Sequence, residues 1–379
     1  MEKIDLQKIV YEFSICIKIN IKNNMEKNML TDFEFDIIAE PLLKWFKKHA
    51  RVLPWREMPT PYRVWVSEIM LQQTRVHAVI PYFERFIKAL PDIKDLAECE
   101  EERLLKLWEG LGYYNRVRNM QTAAKTVMKE YKGTLPADYE ALLKLKGVGS
   151  YTAGAIASIA YQIPVPAVDG NVLRVITRVS ADSSDITKQS VKTEIEKVLI
   201  KVIPKNQAGE FNQALMELGA TICVPNGEPL CKECPWKKFC RARLEDKIKE
   251  IPVKTAKKGR KIEKKTIFII KQHRNIILHK REHKGLLAGM YEFPNTEGHL
   301  SEEEALVWIK EQGLLPIRIQ KLERAKHIFS HVEWHMTGYE VWVDELEEDK
   351  SGLLYVDVKE AREKYPIPAA FACYMKYMM

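Results

Sequence analysis

The chain has 379 residues, of which 46% are hydrophobic, and this is enough for two compact domains with separate cores. Its formal net charge of +8, from 60 Lys and Arg against 52 Asp and Glu, is compatible with a polyanionic partner but is too small to demonstrate one. No apolar run approaches the roughly 18 residues of a membrane span. The seven cysteines do not suggest a disulfide framework, so we expect a reducing compartment, the cytoplasm.

The N-terminal segment has the pattern of a β-strand. From Phe13 to Ile21 apolar residues alternate with more polar ones, whereas a signal peptide would need a continuous apolar run. Met25 and Met29 would also be suitable starts. We therefore interpret residues 1–35 as an appendage and assign them no function.

Residues 36–245 show helical periodicity. Apolar residues recur at intervals of three and four within 187–203, where Thr187 is placed to cap the helix, and again from Phe211 to Ile222. The sequence therefore predicts a mainly helical domain in this region.

Glu68 is the first candidate for chemistry in the helical region. On a helix it shares a face with Trp65 and Ile69, so its carboxyl would lie among apolar groups. Desolvation raises the pKa of a carboxyl, and a glutamic acid that keeps its proton near neutral pH can act as a general acid. The alternative is an ordinary surface glutamate.

Two glycine-containing turns follow. Gly147 and Gly149 flank an apolar residue ahead of a helix rich in small residues, which lets the backbone turn sharply and aim N–H groups at a phosphate. A tight turn between two helices is the alternative. Further on, Asp169 and Asn171 stand between an apolar segment and a new helix, a pattern typical of a turn or a helix N-cap.

Four cysteines fall within eighteen residues, at Cys223, Cys231, Cys234 and Cys240. Four thiolates in one short stretch can hold a [4Fe-4S] cluster or a zinc ion. Zinc sites more often use two separated C-x-x-C pairs, and here one pair alone has that spacing, so the pattern favours the cluster. Buried unpaired cysteines are the remaining alternative.

The composition changes after the cysteines. Residues 246–265 carry nine Lys or Arg and three acidic residues with Pro252 and Gly259, which indicates a solvated linker. The strand periodicity that follows predicts an α+β domain over 266–379. Its expected elements are strands at 266–270, 275–279 and 338–343 and one helix at 301–312.

The cysteine run, C-x7-C-x2-C-x5-C, resembles the iron–sulfur loop of the endonuclease III superfamily of DNA glycosylases, whose usual pattern is C-x6-C-x2-C-x5-C. The extra residue falls in the turn-rich stretch 225–229, which can absorb it. Residues 145–154 resemble the hairpin of that superfamily's helix-hairpin-helix motif. The resemblance implies a helical glycosylase domain over 36–245, a [4Fe-4S] cofactor and double-stranded DNA as partner.

One hairpin position separates the members of this superfamily. Lyase-type members carry a lysine nucleophile where this chain has Tyr151. With Tyr151 and Asn171 the chain resembles the A/G-specific adenine DNA glycosylases, the MutY family, over about 36–379. The resemblance implies excision of adenine opposite 8-oxoguanine or guanine without strand cleavage. Glu68 would protonate the base, Asp169 would stabilise the oxocarbenium-like sugar, and Tyr151 and Asn171 would order the site.

The same family implies DNA-contacting and lesion-reading residues. By motif match the DNA contacts would be Arg56, Gln73, Tyr113, Gly147 and Gly149. Residues 266–379 resemble the family's Nudix-like C-terminal domain, clearest at 285–294, but lack the Glu-rich magnesium helix of Nudix hydrolases, so the domain should bind rather than hydrolyse. The segment matching the family's 8-oxoguanine reader is Phe329, Ser330 and His331.

Two other functions fit parts of the sequence. An endonuclease III-type glycosylase/lyase for oxidised pyrimidines is disfavoured by Tyr151 and by the C-terminal domain. A non-catalytic iron–sulfur DNA-binding or redox protein is disfavoured by the presence of Glu68 and Asp169. We expect a monomer that binds DNA in the nucleoid and has no membrane partner.

Overall fold

The computed structural model describes residues 30, 32–256, 259–344 and 353–378. The strand pattern expected within the N-terminal appendage, at 13–21, lies outside these residues. The chain divides into two compact units, and each is described by itself. The first comprises the residues up to Trp65, Ala137–Lys144 and Val148–Ala256; the second comprises Val66–Pro136, Leu145–Gly147 and Lys257–Met379.

The chain ahead of the sheet is helical, as expected. Its helices are α1 (Ala39–His49), α2 (Pro54–Glu57), α3 (Pro61–Leu71), α4 (Val76–Ala89), α5 (Ile93–Glu98), α6 (Glu101–Leu107), α7 (Asn115–Glu130), α8 (Tyr139–Leu143), α9 (Ser150–Ala155), α10 (Gly170–Ser180), α11 (Gln189–Val202), α12 (Ala208–Thr221) and α13 (Arg241–Leu244). A π-helix at Ile156–Ala160 continues α9. No helix in the described part of the chain is long and apolar enough to cross a membrane.

The first unit has a core formed by α1, α10, α11 and α12. Phe46, Val175, Leu199 and Phe211 are buried together there, one from each helix. Such amphipathic helices are stabilised mainly by burying their apolar faces against one another. The indole of Trp236, in the cysteine loop, donates to the carbonyl of Ile38 at 3.0 Å and so fixes that loop to the start of α1.

The expected N-cap of α11 is wrong. The helix begins at Gln189, and its N-cap, Lys188, makes no side-chain capping bond. The hydroxyl of Thr187 instead donates to the carboxylate of Asp185 at 2.7 Å. Because serine and threonine compete for nearby turn partners as readily as for helix amides, the spacing alone could not separate these two outcomes.

The second unit contains a seven-stranded mixed sheet. Its strands are β1 (Lys261–Gln272), β2 (Asn275–Lys280), β3 (Tyr291–Glu292), β4 (Asn295–Glu297), β5 (Pro316–Ile328), β6 (Val332–Val343) and β7 (Leu353–Asp357). The main order is β3-β2-β1-β6-β5, while β4 pairs with β1 and β7 with β2. Strands β1 and β6 are parallel and the other pairs are antiparallel.

Both faces of this sheet are covered, which explains why the centre of β1 is a continuous apolar run. Ile267 and Ile269 pack on one face in a cluster that includes Phe371 near the C-terminus. Phe268 and Ile270 face the other way, against a helix, α14 (Glu302–Glu311). A last helix, α15 (Val358–Lys364), follows β7.

The predicted elements of the C-terminal domain are confirmed, with different limits. Ser301 caps α14 in a capping box with Glu304, as a Ser three residues before a Glu predicts. Strand β1 begins at Lys261, five residues earlier than expected. Strands β3, β4, β5 and β7 and the helix α15 were not predicted. Strand β5 is an edge strand with many exposed charged residues, so it lacks the apolar alternation that marks a strand.

Candidate active site

Asp169 is the N-cap of α10, which confirms one of the two structures expected for it. Its carboxylate accepts hydrogen bonds from the backbone N–H of Val172 at 2.8 Å and from the side-chain amide of Asn171 at 2.6 Å. Burial raises the pKa of Asp169 above its ordinary value, and these hydrogen bonds together with the charge of Arg174 act in the opposite direction. The site therefore contains a shielded carboxyl whose donors favour the ionised form.

Arg174 links Asn171, and through it Asp169, to the cysteine loop. Its guanidinium donates to Oδ1 of Asn171 at 2.9 Å, to the carbonyl of Gly219 at 2.7 Å and to the carbonyl of Cys223 at 2.7 Å. One helical turn further, Arg178 donates to Sγ of Cys223 at 3.3 Å. Both arginines are buried. Neither arginine was predicted from the sequence, because they share their helix face with Asn171 and Thr177 and so resemble solvated charges.

Helix α12 forms one wall of the same site. A Cβ at Gly219 would lie 2.6 Å from the Cβ of Asn171, so this close approach requires glycine. From the same helix, Sδ of Met216 lies 3.3 Å from the hydroxyl of Tyr151, which is on α9. The predicted residues Tyr151 and Asn171 therefore both contact α12.

Glu217 lies between Met216 and Gly219 in the sequence and anchors α12 to Arg51 and Arg56. Its carboxylate is buried and lies 2.6 Å from Nε of Arg51 and 2.9 Å from Nη2 of Arg56. Burial alone would raise the pKa of Glu217, but the two guanidinium groups hold it below its ordinary value. Arg56, expected to contact DNA, is thus engaged in this ion-pair network, and its contact with DNA stays a prediction.

The four cysteines of the run line one small cavity in the first unit, and all four are free and half-buried. Lys237 and Arg243 line the same cavity and supply positive charge beside the thiols. Among the residues that the structure describes, no His, Cys, Asp or Glu group is arranged to hold a single metal ion. Four free thiols around one cavity are a donor set that could hold a [4Fe-4S] cluster or a Cys₄ zinc ion.

Glu68 lies in the second unit, on α3, and is 5% exposed. The neighbouring residues Val66, Ile69 and Met70 are buried as well. This burial confirms that Glu68 is not a surface glutamate. Asp169 belongs to the first unit, so the two carboxyls are positioned by different parts of the fold.

Gln73 and Tyr113, two of the expected DNA contacts, both have an uncommon backbone conformation. Gln73 follows α3 with a φ of 59°, and Tyr113 precedes α7 with a φ of 49°. Side chains with a Cβ rarely adopt this left-handed region, and residues that do so are concentrated at functional sites. Tyr113 is 48% exposed despite its large ring.

The two hairpin glycines differ in whether their positions could accommodate a side chain. Gly147 has a φ of 79°, and a Cβ there would lie 2.8 Å from the Cβ of Asn119, so a side chain is excluded on both grounds. Gly149 is the N-cap of α9, and a Cβ at this position would meet no other atom within 4 Å. The first glycine therefore makes the turn, while the second leaves the helix N-terminus uncovered.

The expected lesion-reading residues form the turn between β5 and β6 in the second unit. The amide of Phe329 donates to the carbonyl of Val332 at 2.9 Å, and the hydroxyl of Ser330 lies 3.2 Å from Nδ1 of His331. This turn lines a cavity of about 590 Å³. Tyr113 lines the same cavity. The volume of the cavity is in the range of small-molecule sites.

Both parts of the chain match known protein families. Residues 66–201 match the model of the HhH-GPD superfamily of base excision DNA repair proteins, and 266–377 match that of the NUDIX domain. The adenine DNA glycosylase of Buchnera aphidicola (subspecies Acyrthosiphon pisum) is 36% identical over 301 residues, covering 79% of this chain and 85% of the relative. That of Mus musculus is 35% identical over 362 residues, covering 80% of this chain and 70% of the relative.

A solved structure of a thermostable thymine-DNA glycosylase is also similar. It is 26% identical and superposes with a TM-score of 0.50 over 55% of this chain and 96% of that one. The expected fold, a helical region followed by a Nudix-like domain with a mixed sheet, is confirmed. The chain belongs to the adenine DNA glycosylase family, enzymes of DNA base excision repair.

Proposed function

We propose that this glycosylase removes adenine paired with 8-oxoguanine or guanine by hydrolysing the N-glycosidic bond, and that it does not cleave the strand. The observation that carries the proposal is the shielded carboxylate of Asp169, held by Val172 and Asn171 at the N-terminus of α10. A carboxylate fixed in this way can oppose the positive charge that develops on the sugar as the base departs.

Glu68 supplies the proton in this proposal. The target nucleotide leaves the base stack, because its glycosidic bond cannot be reached within the duplex. Glu68 protonates N7 of adenine, the C1′–N9 bond breaks, and the bonding electrons leave with the base. Water then adds to C1′, and the proton that it loses restores the acid form of Glu68. The burial of Glu68 supports this role, since its carboxyl lies among apolar residues and away from bulk water, where a general acid can act on the bound base.

Tyr151 and Asn171 order the site around Asp169. Asn171 donates to the carboxylate, and Tyr151 fills the hairpin position at which a lyase carries its lysine. A tyrosine hydroxyl cannot form a Schiff base with the sugar, so hydrolysis is the expected outcome. The hydroxyl of Tyr151 contacts Sδ of Met216, which supports a role in fixing α9 against α12.

The lesion is read by the second unit in this proposal. Phe329, Ser330, His331 and Tyr113 all line the 590 Å³ cavity, so a base at this position could be both stacked on an aromatic ring and hydrogen-bonded. A hydroxyl and a ring nitrogen can distinguish the N7–H and O8 of 8-oxoguanine from the N7 acceptor of guanine. Excision is then assigned to 36–245 and lesion recognition to 266–379, with 246–265 connecting them.

Cys223, Cys231, Cys234 and Cys240 would hold the [4Fe-4S] cluster. Its chemistry here is to cross-link the loop through metal–thiolate bonds, which contributes folding free energy. Arg178, which donates to Cys223, and Arg174, which holds both Cys223 and Asn171, connect this loop to the candidate active site. Free thiols in this number suit a reducing compartment such as the cytoplasm.

The test is a duplex carrying 8-oxoguanine opposite adenine, incubated with the protein and then divided into samples with and without alkali. Cleavage of the adenine strand only after alkali supports the proposal, because hydrolysis leaves an abasic site. Cleavage without alkali would instead indicate a lyase. An intact strand in both samples would reject the proposed substrate.

A pair of matched variants tests the carboxylate. Asp169 and Asp138 are both helix N-caps in the first unit, of α10 and α8. Asparagine caps a helix about as well as aspartate, so Asp138→Asn should leave the melting temperature nearly unchanged. Asp169→Asn keeps the cap but places an amide NH2 against the donor of Asn171, so its melting temperature should fall, and excision is compared at a temperature where both variants are folded. We expect Asp169→Asn to lose adenine excision and Asp138→Asn to retain it. Equal activity of the two variants would remove Asp169 from the mechanism.

A further inference from the structure

Arg116, near the start of α7, makes an unusual set of hydrogen bonds. Its Nη1 donates its two protons to the carbonyls of Ile69 and Gln72 at 2.6 and 2.7 Å, and the carbonyl of Met70, at 3.3 Å, shares one of them. Its Nη2 donates to the carbonyls of Leu111 and Gly112 at 3.1 and 3.2 Å. One guanidinium therefore holds two separate loops, the one that follows α3 and the one that precedes α7.

Two of these carbonyls belong to the peptide groups that immediately precede Gln73 and Tyr113, the two residues with positive φ. The Gln72 carbonyl lies in the peptide that precedes Gln73, and the Gly112 carbonyl in the one that precedes Tyr113. Because φ is the rotation that relates a residue to its preceding peptide, holding that peptide plane restricts φ. Arg116 is thus bound where the unusual conformations of both residues are determined.

The bonds to the α3 loop also complete the end of a helix. The last carbonyls of α3 have no amide partner further along the helix, and Arg116 satisfies those of Ile69 and Met70. A cation is favourable at this end, where the helix dipole is negative. Glu68 is the residue before Ile69, so the same guanidinium also fixes the helical turn that carries the proposed acid.

The surroundings of Arg116 keep its guanidinium in one place. Its Cζ lies 5.5 Å from the ring centres of Trp108 and Tyr113. Partial burial lowers the pKa of Arg116 to about 10, so the side chain is still cationic at neutral pH. A planar fork with five donors can serve two loops at once, whereas the single ammonium of lysine has three donors around one nitrogen.

We propose that Arg116 is a positioning residue that holds Gln73 and Tyr113 at a fixed separation and orientation before DNA binds. The inference rests on the proposed function, since it assumes that these two side chains contact the DNA. Preorganisation of this kind lowers the entropic cost of binding and so improves affinity without a direct contact.

The experiment is a double-mutant cycle on the full chain. The dissociation constant is measured with a duplex in which 8-oxoguanine faces an adenosine analogue that cannot be cleaved. The variants are Arg116→Lys, the combined Gln73→Ala/Tyr113→Ala, and all three changes together. Arg362→Met is the control, because this guanidinium donates to a main-chain carbonyl, that of Met375, in the same unit.

We expect Arg116→Lys to weaken binding about tenfold and the Gln73→Ala/Tyr113→Ala variant to weaken it about 10- to 100-fold. Once Gln73 and Tyr113 have been truncated, adding Arg116→Lys should weaken binding less than about twofold further. A purely structural arginine would instead have the same effect in both backgrounds, and the control should have little effect in either.

The outcomes separate this inference from the proposed function. Additive effects would overturn the role of Arg116 while leaving Gln73 and Tyr113 as DNA contacts. Unchanged binding by the Gln73→Ala/Tyr113→Ala variant would show that these two side chains do not contact the DNA, and would overturn the inference about Arg116 as well.

If Arg116→Lys does not fold, the unsubstituted protein provides a second measurement. The guanidinium protons of Arg116 should exchange with solvent at least about 100-fold more slowly than those of Arg362, both without and with DNA. Protection that is present only with DNA would show that the loops are ordered on binding, and would overturn the inference.

Discussion

The side-chain amide of Asn171 lies 2.6 Å from Oδ2 of Asp169 and donates a hydrogen bond to it. Asn171 is held in turn by Arg174, so its amide is directed at the carboxylate rather than free to rotate. A donor in this position stabilises the ionised carboxylate and opposes the effect of burial, which raises the pKa of Asp169.

Replacing Asn171 by alanine should therefore change the pH dependence of excision. Without the donor, the pKa of Asp169 rises further above its ordinary value. The ionised carboxylate is needed for catalysis, so the acid limb of the rate profile should move to higher pH. At neutral pH we expect a loss of about 10- to 100-fold, as for a hydrogen bond to a charged group. Single-turnover excision measured across the acid and neutral pH range checks this.

Asn206→Ala is the control for Asn171→Ala, since Asn206 is an exposed asparagine of the same unit. Its profile should coincide with that of the unsubstituted protein. An acid limb that stays in place in Asn171→Ala, or moves to lower pH, would contradict the role given to this hydrogen bond.

Glu68→Gln should abolish base release while leaving binding to lesion DNA within about tenfold, because it removes a proton donor and little contact. General acids contribute about 10²- to 10⁴-fold to a rate, so the loss should be at least of this size. Single-turnover excision and the dissociation constant are measured together. Glu84 is an exposed glutamate on α4, and the control Glu84→Gln should leave excision and binding unchanged. A Glu68→Gln enzyme that still excises adenine would exclude Glu68 as the acid.

The double variant Ser330→Ala/His331→Ala should lose the preference for 8-oxoguanine over guanine and retain slow adenine excision. Its two polar groups lie on the turn that lines the 590 Å³ cavity. A hydrogen-bonded base contact is worth about 1–3 kcal/mol of discrimination, so the ratio of the two excision rates should fall by about 5- to 150-fold. His273 lies on the exposed turn after β1, and the control His273→Ala should leave the ratio unchanged. A ratio unchanged in the double variant would reject the reader assignment.

Cys234→Ser should lose iron, whereas Cys99→Ser should not. Cys234 lines the cavity shared by the four cysteines, and Cys99 is a free, half-buried cysteine away from the run in the sequence. We expect about four iron atoms per unsubstituted chain and a lower melting temperature for Cys234→Ser, because metal–thiolate bonds contribute folding free energy. Elemental analysis and thermal unfolding measure both. Zinc in place of iron would support the alternative Cys₄ site.

The residues that could be predicted from sequence are those whose immediate neighbours determine their role. Glu68 is flanked by apolar residues at helical spacing, and its burial follows. Asp169 directly precedes a helix, and it caps that helix. Gly147 makes the turn that its pattern indicates. In each case the determining contacts lie within a few positions of the residue itself.

The residues that were missed have partners far away in the sequence. Arg116 binds carbonyls 44 to 47 positions earlier as well as nearby ones, and Arg174 binds carbonyls 45 and 49 positions later. A main-chain carbonyl leaves no mark in the sequence, because every residue has one. These arginines therefore resemble ordinary solvated charges until the fold is known.

Glu217 belongs to the same class, with its partner Arg51 166 positions away, and it leads to a prediction about stability. Glu217→Gln leaves two guanidinium groups without their shared carboxylate and should lower the free energy of unfolding by about 3–5 kcal/mol at neutral pH. The urea midpoint, followed by circular dichroism, measures this. Glu40→Gln is the control, because Glu40 pairs with Lys44 on the exposed face of α1 and should leave the midpoint nearly unchanged.

The pH dependence of that difference gives a second check. Arg51 and Arg56 hold the pKa of Glu217 below its ordinary value, so the folded state binds this proton less readily than the unfolded chain. The stabilisation is therefore complete above the ordinary carboxyl pKa and is lost as the pH falls through the lowered one. The difference between Glu217→Gln and the unsubstituted protein should therefore begin to shrink as the pH falls toward the ordinary value of 4.5 and should disappear as it falls through the lowered pKa. Helix α12 also carries Met216 and Gly219, which contact Tyr151 and Asn171, so Glu217→Gln should weaken excision as well as stability. Full activity in a destabilised Glu217→Gln variant would show that the ion pair supports the fold alone.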